Sequence, residues 1–337
     1  MREAFAMASF FKRVAPAIAL YFLSPIVAEF LLGDFPLYKI GFLLFLAPFY
    51  GGGAVLIREI VRRSGRGWPT IVMLALAYGI FEEAFTTQTL FNPDYLGLHL
   101  HLLEPAFIPA LGISAWWTIF VLTLHTMWSI SVPVAMVEAV VPRRAHEPWL
   151  KGLGIGVVAV LFVLDAWMMT MNQINTDSHH FVASRIQFAV SAVCCIAVAV
   201  AAFVLRRRRD PQRSGNPPIP WATGALALAA CSIFLVTPQR WGWGAVAIYV
   251  ALDLLIIGTT LSWSRLSGWN GLHTLSLAGG AALAYAWHSF IQQPVIGKAD
   301  AAMRIGNAVL ALGVVVLLYA GARRTRGALA EATAVHA

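Results

Sequence analysis

Residues 77–94, AYGIFEEAFTTQTLFNPD, decide how this chain is read. The stretch lies in a membrane-length apolar run, yet it carries two adjacent carboxylates, Glu82 and Glu83, followed by Thr86, Thr87 and Gln88. A charge at bilayer depth costs roughly 2.5–3.5 kcal/mol on insertion scales. Two neighbours of the same sign therefore need partners, protons or a watery cavity. The stretch reads as a transmembrane helix with a polar centre.

The rest of the chain agrees. Of 337 residues, 59% are hydrophobic and 12% charged, with a mean hydropathy of +0.72. Soluble domains carry about 25% charged residues, so most of this chain has no water to face. Ten runs approach the ~20 apolar residues that a span needs, at 14–33, 37–57, 69–90, 115–141, 150–171, 182–205, 219–236, 242–262, 271–290 and 302–321. The seventh is the shortest. The expected fold is an all-α polytopic helical bundle.

The net charge of +8 does not mark a nucleic-acid binder, because the cations cluster in short loops between apolar runs. Of the 24 Lys and Arg, only Lys39, Arg185, Arg240, Lys298 and Arg304 fall in the alternate loops. The others sit at the amino terminus, around 58–66, 143–151 and 206–213, at Arg265 and in the tail. Positive charge stays on the cytoplasmic side, which sets both termini there. The expected partner is membrane lipid, and the expected location is a bacterial plasma membrane. The segment 206–220, RRRRDPQRSGNPPIP, reads as a basic linker. It separates a six-helix part, 1–205, holding most intramembrane polar residues, from a blander four-helix part, 221–337.

Cys194, Cys195 and Cys231 lie in apolar runs without metal-ligand spacing and read as small hydrophobes. Gly51, Gly52 and Gly53 read as a close helix contact, since neither a strand nor a GK[ST] accompanies them. Residues 92–115, NPDYLGLHLHLLEPAFIPALGISA, contain no Lys or Arg. They are expected to form an outer lid carrying His99, His101 and Glu104.

A helix rises 1.5 Å per residue, so depth follows from topology. Glu82 and Glu83 come out ~20 Å from the cytoplasmic side, and Glu29 and Asp165 ~22 Å. His125, on the fourth run, falls near the midplane. Four helices thus bring acids or a histidine to a similar level. Glu82, Glu83 and His125 are the candidate catalytic groups, supported by Glu29, Thr87 and Asp165. A glutamate beside a histidine can activate water as a general base. The same groups could ligate Zn²⁺, with His99 and His101 contributing from the lid. Each also has a plain reading: a headgroup contact for Glu29, a structural hydrogen bond for Asp165 or His125.

Paired glutamates in one helix followed by a histidine in the next resemble the CAAX-protease and bacteriocin-processing family of intramembrane proteases. The resemblance maps Glu82 and Glu83 onto the paired acids and His125 onto the second motif's histidine. It implies a water activated by glutamate and histidine that attacks a peptide bond. Thr87 stands where that pattern has arginine, Val121 where it has phenylalanine, and Asp165 occupies the helix expected to carry a further histidine. The Ala, Val and Arg usage is also similar to that of multi-pass membrane proteins of high-GC bacteria. A proton-coupled transporter, with Glu29, the glutamate pair and Asp165 as relay, and a non-catalytic assembly factor stay open as alternatives.

Overall fold

The computed structural model describes residues 2–177, 180–204 and 213–336. Of the linker expected at 206–220, residues 206–212 lie outside the described residues. Among the described residues, ten helices form the fold: α1 (Lys12–Phe30), α2 (Leu37–Arg63), α3 (Trp68–Thr86), α4 (Ala115–Val140), α5 (Gly152–Thr176), α6 (Arg185–Val204), α7 (Pro220–Val236), α8 (Trp243–Trp263), α9 (Gly271–His288) and α10 (Ala301–His336). Eight are long and apolar enough to cross a membrane. The other two, α7 with 17 residues and α9 with 18, are the shortest. The all-helical multi-pass fold is as expected.

Burial sorts the helices into centre and perimeter. Half or more of each apolar window of α1–α4 is buried, against 11% for α5, α6 and α8. The perimeter helices present Leu153, Ile186, Val193 and Leu254 outward, and in a membrane protein these faces meet lipid. α5 packs on α2, α6 on α3, and α7, α9 and α10 gather around the second half of α4. The α7–α9 crossing is tight: a Cβ on Gly280 would lie 2.2 Å from the Gly224 carbonyl oxygen, so only glycine fits. Trp128 on α4 stacks on Tyr285 at 4.2 Å, and its Nε1 donates to the Ala281 carbonyl at 2.9 Å.

The basic loops meet at one end of the bundle. Arg144 donates to the carbonyls of Lys12 and Arg13, Arg143 pairs with Glu331, and Arg66 donates to the Ala202 carbonyl. Both chain ends therefore lie on the face that carries the cationic loops. Beneath that face, Arg58, Arg62, Glu59 and Glu138 form a buried ion network. Glu138 accepts from Arg58 at 3.1 Å and from Arg62 at 2.6 and 2.8 Å. The Arg58 guanidinium lies 3.4 Å over the Trp149 ring.

Each of the four central helices is locally widened into a π turn: Ile26–Phe30 in α1, Ala47–Gly51 in α2, Glu82–Thr86 in α3 and His125–Ser131 in α4. Such turns gather at functional sites. Proline explains part of the pattern, because it lacks the N–H that would close the preceding turn. Pro133 cannot bond to the Ser129 carbonyl, and the Ser24 hydroxyl on α1 donates to that oxygen at 2.6 Å instead. Pro25 likewise frees the Tyr21 carbonyl. A Cβ on Gly51 would lie 1.8 Å from that oxygen, so glycine lets α2 press against α1 there.

Candidate functional site

The four widened turns place the polar residues. Glu82 and Glu83 open the π turn of α3, and His125 opens that of α4. All three side chains are buried, at 1, 4 and 4% exposure. Successive helical residues point ~100° apart, so one partner could not serve both glutamates from one side. The imidazole resolves this by standing between them. His125 Nε2 lies 2.8 Å from Glu83 Oε1, and Nδ1 lies 3.0 Å from Glu82 Oε2. Gly79, one turn below Glu83, permits the approach: a Cβ there would stand 3.2 Å from that of His125.

The two carboxylates are held differently. Glu83 is fully engaged. Its second oxygen accepts from Thr87 at 3.2 Å and from Thr89, and Thr89 in turn accepts from Trp117 Nε1 at 2.8 Å. Among the described residues, neither oxygen of Glu82 has a partner in good hydrogen-bond geometry, although His125 and Tyr78 stand beside it. His125 Nδ1 is near enough but out of line, and it is taken by the Ser129 hydroxyl at 3.0 Å. Burying a charged carboxylate without partners is costly, so Glu82 is the group with chemistry to spare.

Aromatic rings pack around the trio. Tyr50 and Tyr78 flank His125 at 6.1 and 6.3 Å, and the buried Tyr78 hydroxyl lies beside the Glu82 carboxylate. Gly53 makes room for Tyr78, since a Cβ there would sit 2.5 Å from its ring. The glycine run is thus a packing device, as its sequence context implied. Glu29 on α1 is near enough to interact electrostatically with Glu82 and His125. Asp165 on α5 stands against Tyr21 and the Phe49 backbone.

The segment 92–114 covers this end. Asn92 Nδ2 and the Leu96 N–H donate to Asp177 Oδ2 beyond α5, and Leu102 is buried in the core. A two-residue hairpin, β1 (Phe107–Ile108) against β2 (Ile113–Ser114), returns the chain to α4. Tyr95 sits above the trio. Burial, then the charges of Glu83, Glu82 and Glu29, raise its hydroxyl pKa. Leu96, His99, His101 and Ala106 adopt positive φ between 51 and 53°, a costly backbone for residues with side chains.

In the lid, His99 pairs with Asp94 at 3.0 Å and His101 with Glu104 at 2.6 Å, all within the loop and with both imidazoles exposed. Glu82, Glu83 and His125 themselves each offer a ligand atom, all within 4.8 Å of one another.

Several site residues escaped the sequence reading. Tyr78 and Ser129 stand four residues from Glu82 and His125, so helical spacing alone would have found them. Thr89 and Tyr95 lie beyond the end of α3, where no periodicity points at the site.

A family described as an uncharacterized membrane protein family matches residues 18–325. No curated protein and no solved structure matches the chain.

Proposed function

The chain belongs to an uncharacterized membrane protein family, and from the geometry of its buried trio we propose a membrane-embedded acid–base hydrolase. The observation that carries this reading is the contrast between the two glutamates. Glu83, fixed by Thr87 and Thr89, orients His125, while Glu82 keeps two unpartnered oxygens beside the same ring. That is a base, a proton carrier and an orienting acid in one chain of contacts.

In this reading Glu82 takes a proton from water, and the water oxygen bonds to the carbonyl carbon of an amide or ester. The proton passes through His125 to the leaving nitrogen or oxygen as the scissile bond breaks. The buried Tyr78 hydroxyl is placed to donate to the developing oxyanion. Tyr95 and the 92–114 segment shield the site from water between turnovers. The substrate class is a membrane-resident peptide or acyl compound, in keeping with the resemblance to intramembrane proteases. The cationic end, with both termini, faces the cytoplasm, and the membrane is a bacterial plasma membrane.

Terminal proteomics of membranes from cells expressing wild type or Glu82→Gln tests this. Gln keeps the shape but cannot act as a base. New peptide or acyl-chain termini should appear with wild type and vanish with the variant. Identical products from both would sink the hydrolase reading.

A proton-coupled transporter is the second reading, favoured by Asp165 and Gln173 on α5, both 3% exposed with no hydrogen bonds to their side-chain oxygens. Proton flux in liposomes that survives Glu82→Gln but is lost in Asp165→Asn would select it.

A further inference from the structure

We propose that Glu82, Glu83 and His125 bind one divalent transition-metal ion of the zinc class. The inference rests on the hydrolase reading only for what the ion would do there; its occupancy stands on the geometry alone.

Glu82 is the starting point. Both of its buried oxygens stand outside hydrogen-bond geometry among the described residues, beside the Tyr78 hydroxyl and with Oε2 3.0 Å from His125 Nδ1. Glu83 reaches the same imidazole from the other side, 2.8 Å from Nε2. One ligand atom from each of the three residues lies within 4.8 Å of the others. A divalent cation there would take an oxygen from each carboxylate and one ring nitrogen as ligands, and its charge would offset two buried acids.

The donor set names the class. Two carboxylates and one imidazole are borderline ligands that suit zinc, and Mg²⁺ or Ca²⁺ would call for oxygen alone. Three protein ligands also leave the open fourth position of a catalytic site. The donor atoms lie within 4.8 Å of one another, wider than the ~3.4 Å edge of a tetrahedron with ~2.1 Å bonds, so the ligands would draw inward on binding. Ser129 and the Thr87–Thr89 pair already hold the ligands from outside, the supporting shell that such sites use. In the hydrolase, the ion would ease deprotonation of the attacking water, and Glu82, ligating through one oxygen, would keep the other to take the proton.

The test uses the full-length, tag-free chain in detergent, stripped with a chelator and reloaded with Zn²⁺ or Co²⁺. About one ion per chain should be recovered, with a Co²⁺ absorption band of a low-symmetry oxygen–nitrogen site. Glu82→Gln and His125→Gln should each weaken binding ~100-fold or more, and Thr89→Val by ~10-fold to 100-fold. No ion on the folded wild-type chain overturns the proposal, as does equal binding by wild type and both ligand variants. An ion-free chain whose products still vanish with Glu82→Gln would overturn the metal site and leave the acid–base reading standing. Ion binding with no loss of products would do the reverse.

Discussion

Residue by residue, the site is a matter of which polar atoms are satisfied. Glu83 and Glu82 are adjacent in sequence and nearly equal in burial, yet one has three partners and the other none in hydrogen-bond geometry. Thr89 makes much of that difference, because it bonds to Glu83 and receives Trp117 Nε1. Thr89→Val removes the hydroxyl at constant shape. It leaves a buried carboxylate oxygen and an indole N–H short of a partner, at about 1–3 kcal/mol for such groups. Thermal unfolding in detergent should show the loss, and Thr89→Ser should restore most of it. A Thr89→Val chain as stable as wild type would mean that water fills the place of the hydroxyl.

At the scale of elements, the π turns and the covering segment matter most. Four central helices widen near the polar side chains, and on α4 the widening leaves the Ser129 carbonyl to the Ser24 hydroxyl of α1. The segment 92–114 is anchored at a few points, Asn92 and Leu96 on Asp177 and Leu102 in the core, with strained, exposed residues between. Cysteine at Leu98, 38% exposed, should react quickly with a membrane-impermeant thiol reagent. Cysteine at Leu102, 7% exposed, should react slowly. Equal fast rates would show that the segment is solvated throughout and covers nothing.

Across the whole molecule, two buried charge clusters sit at opposite ends of the central helices and differ in kind. The Arg58–Glu59–Arg62–Glu138 network pairs its cations with acids and with the Arg144 and Ala145 carbonyls. It joins α2 to α4 and to the loop that leads to α5. Removing one partner from a buried ion network costs about 3–5 kcal/mol, so Glu138→Gln should lower the unfolding midpoint sharply without changing the metal content of the trio. A mild effect would mean that the guanidiniums find water. The outer cluster lacks such internal balance, which is why function is assigned there.

The sequence by itself determined the class of molecule and the address of its site. Apolar runs of membrane length, few charges and basic loops on alternate sides dictate a multi-pass helical bundle, because lipid offers no partner for exposed backbone or charge. The same cost makes Glu82, Glu83 and His125 conspicuous, since ionisable groups rarely stand in an apolar helix without a use. Only the tertiary structure decided how the three meet, because a helix turn says nothing about which neighbour stands opposite. It put His125 between the glutamates and gave Thr87 and Thr89 to Glu83. It also set Asp165 against Tyr21 and paired His99 and His101 with acids of their own loop. The Arg58–Glu138 network was equally hidden, for its members lie 80 residues apart. Partnership between distant side chains is set by packing, and packing is where a carboxylate becomes either a satisfied strut or a reactive group.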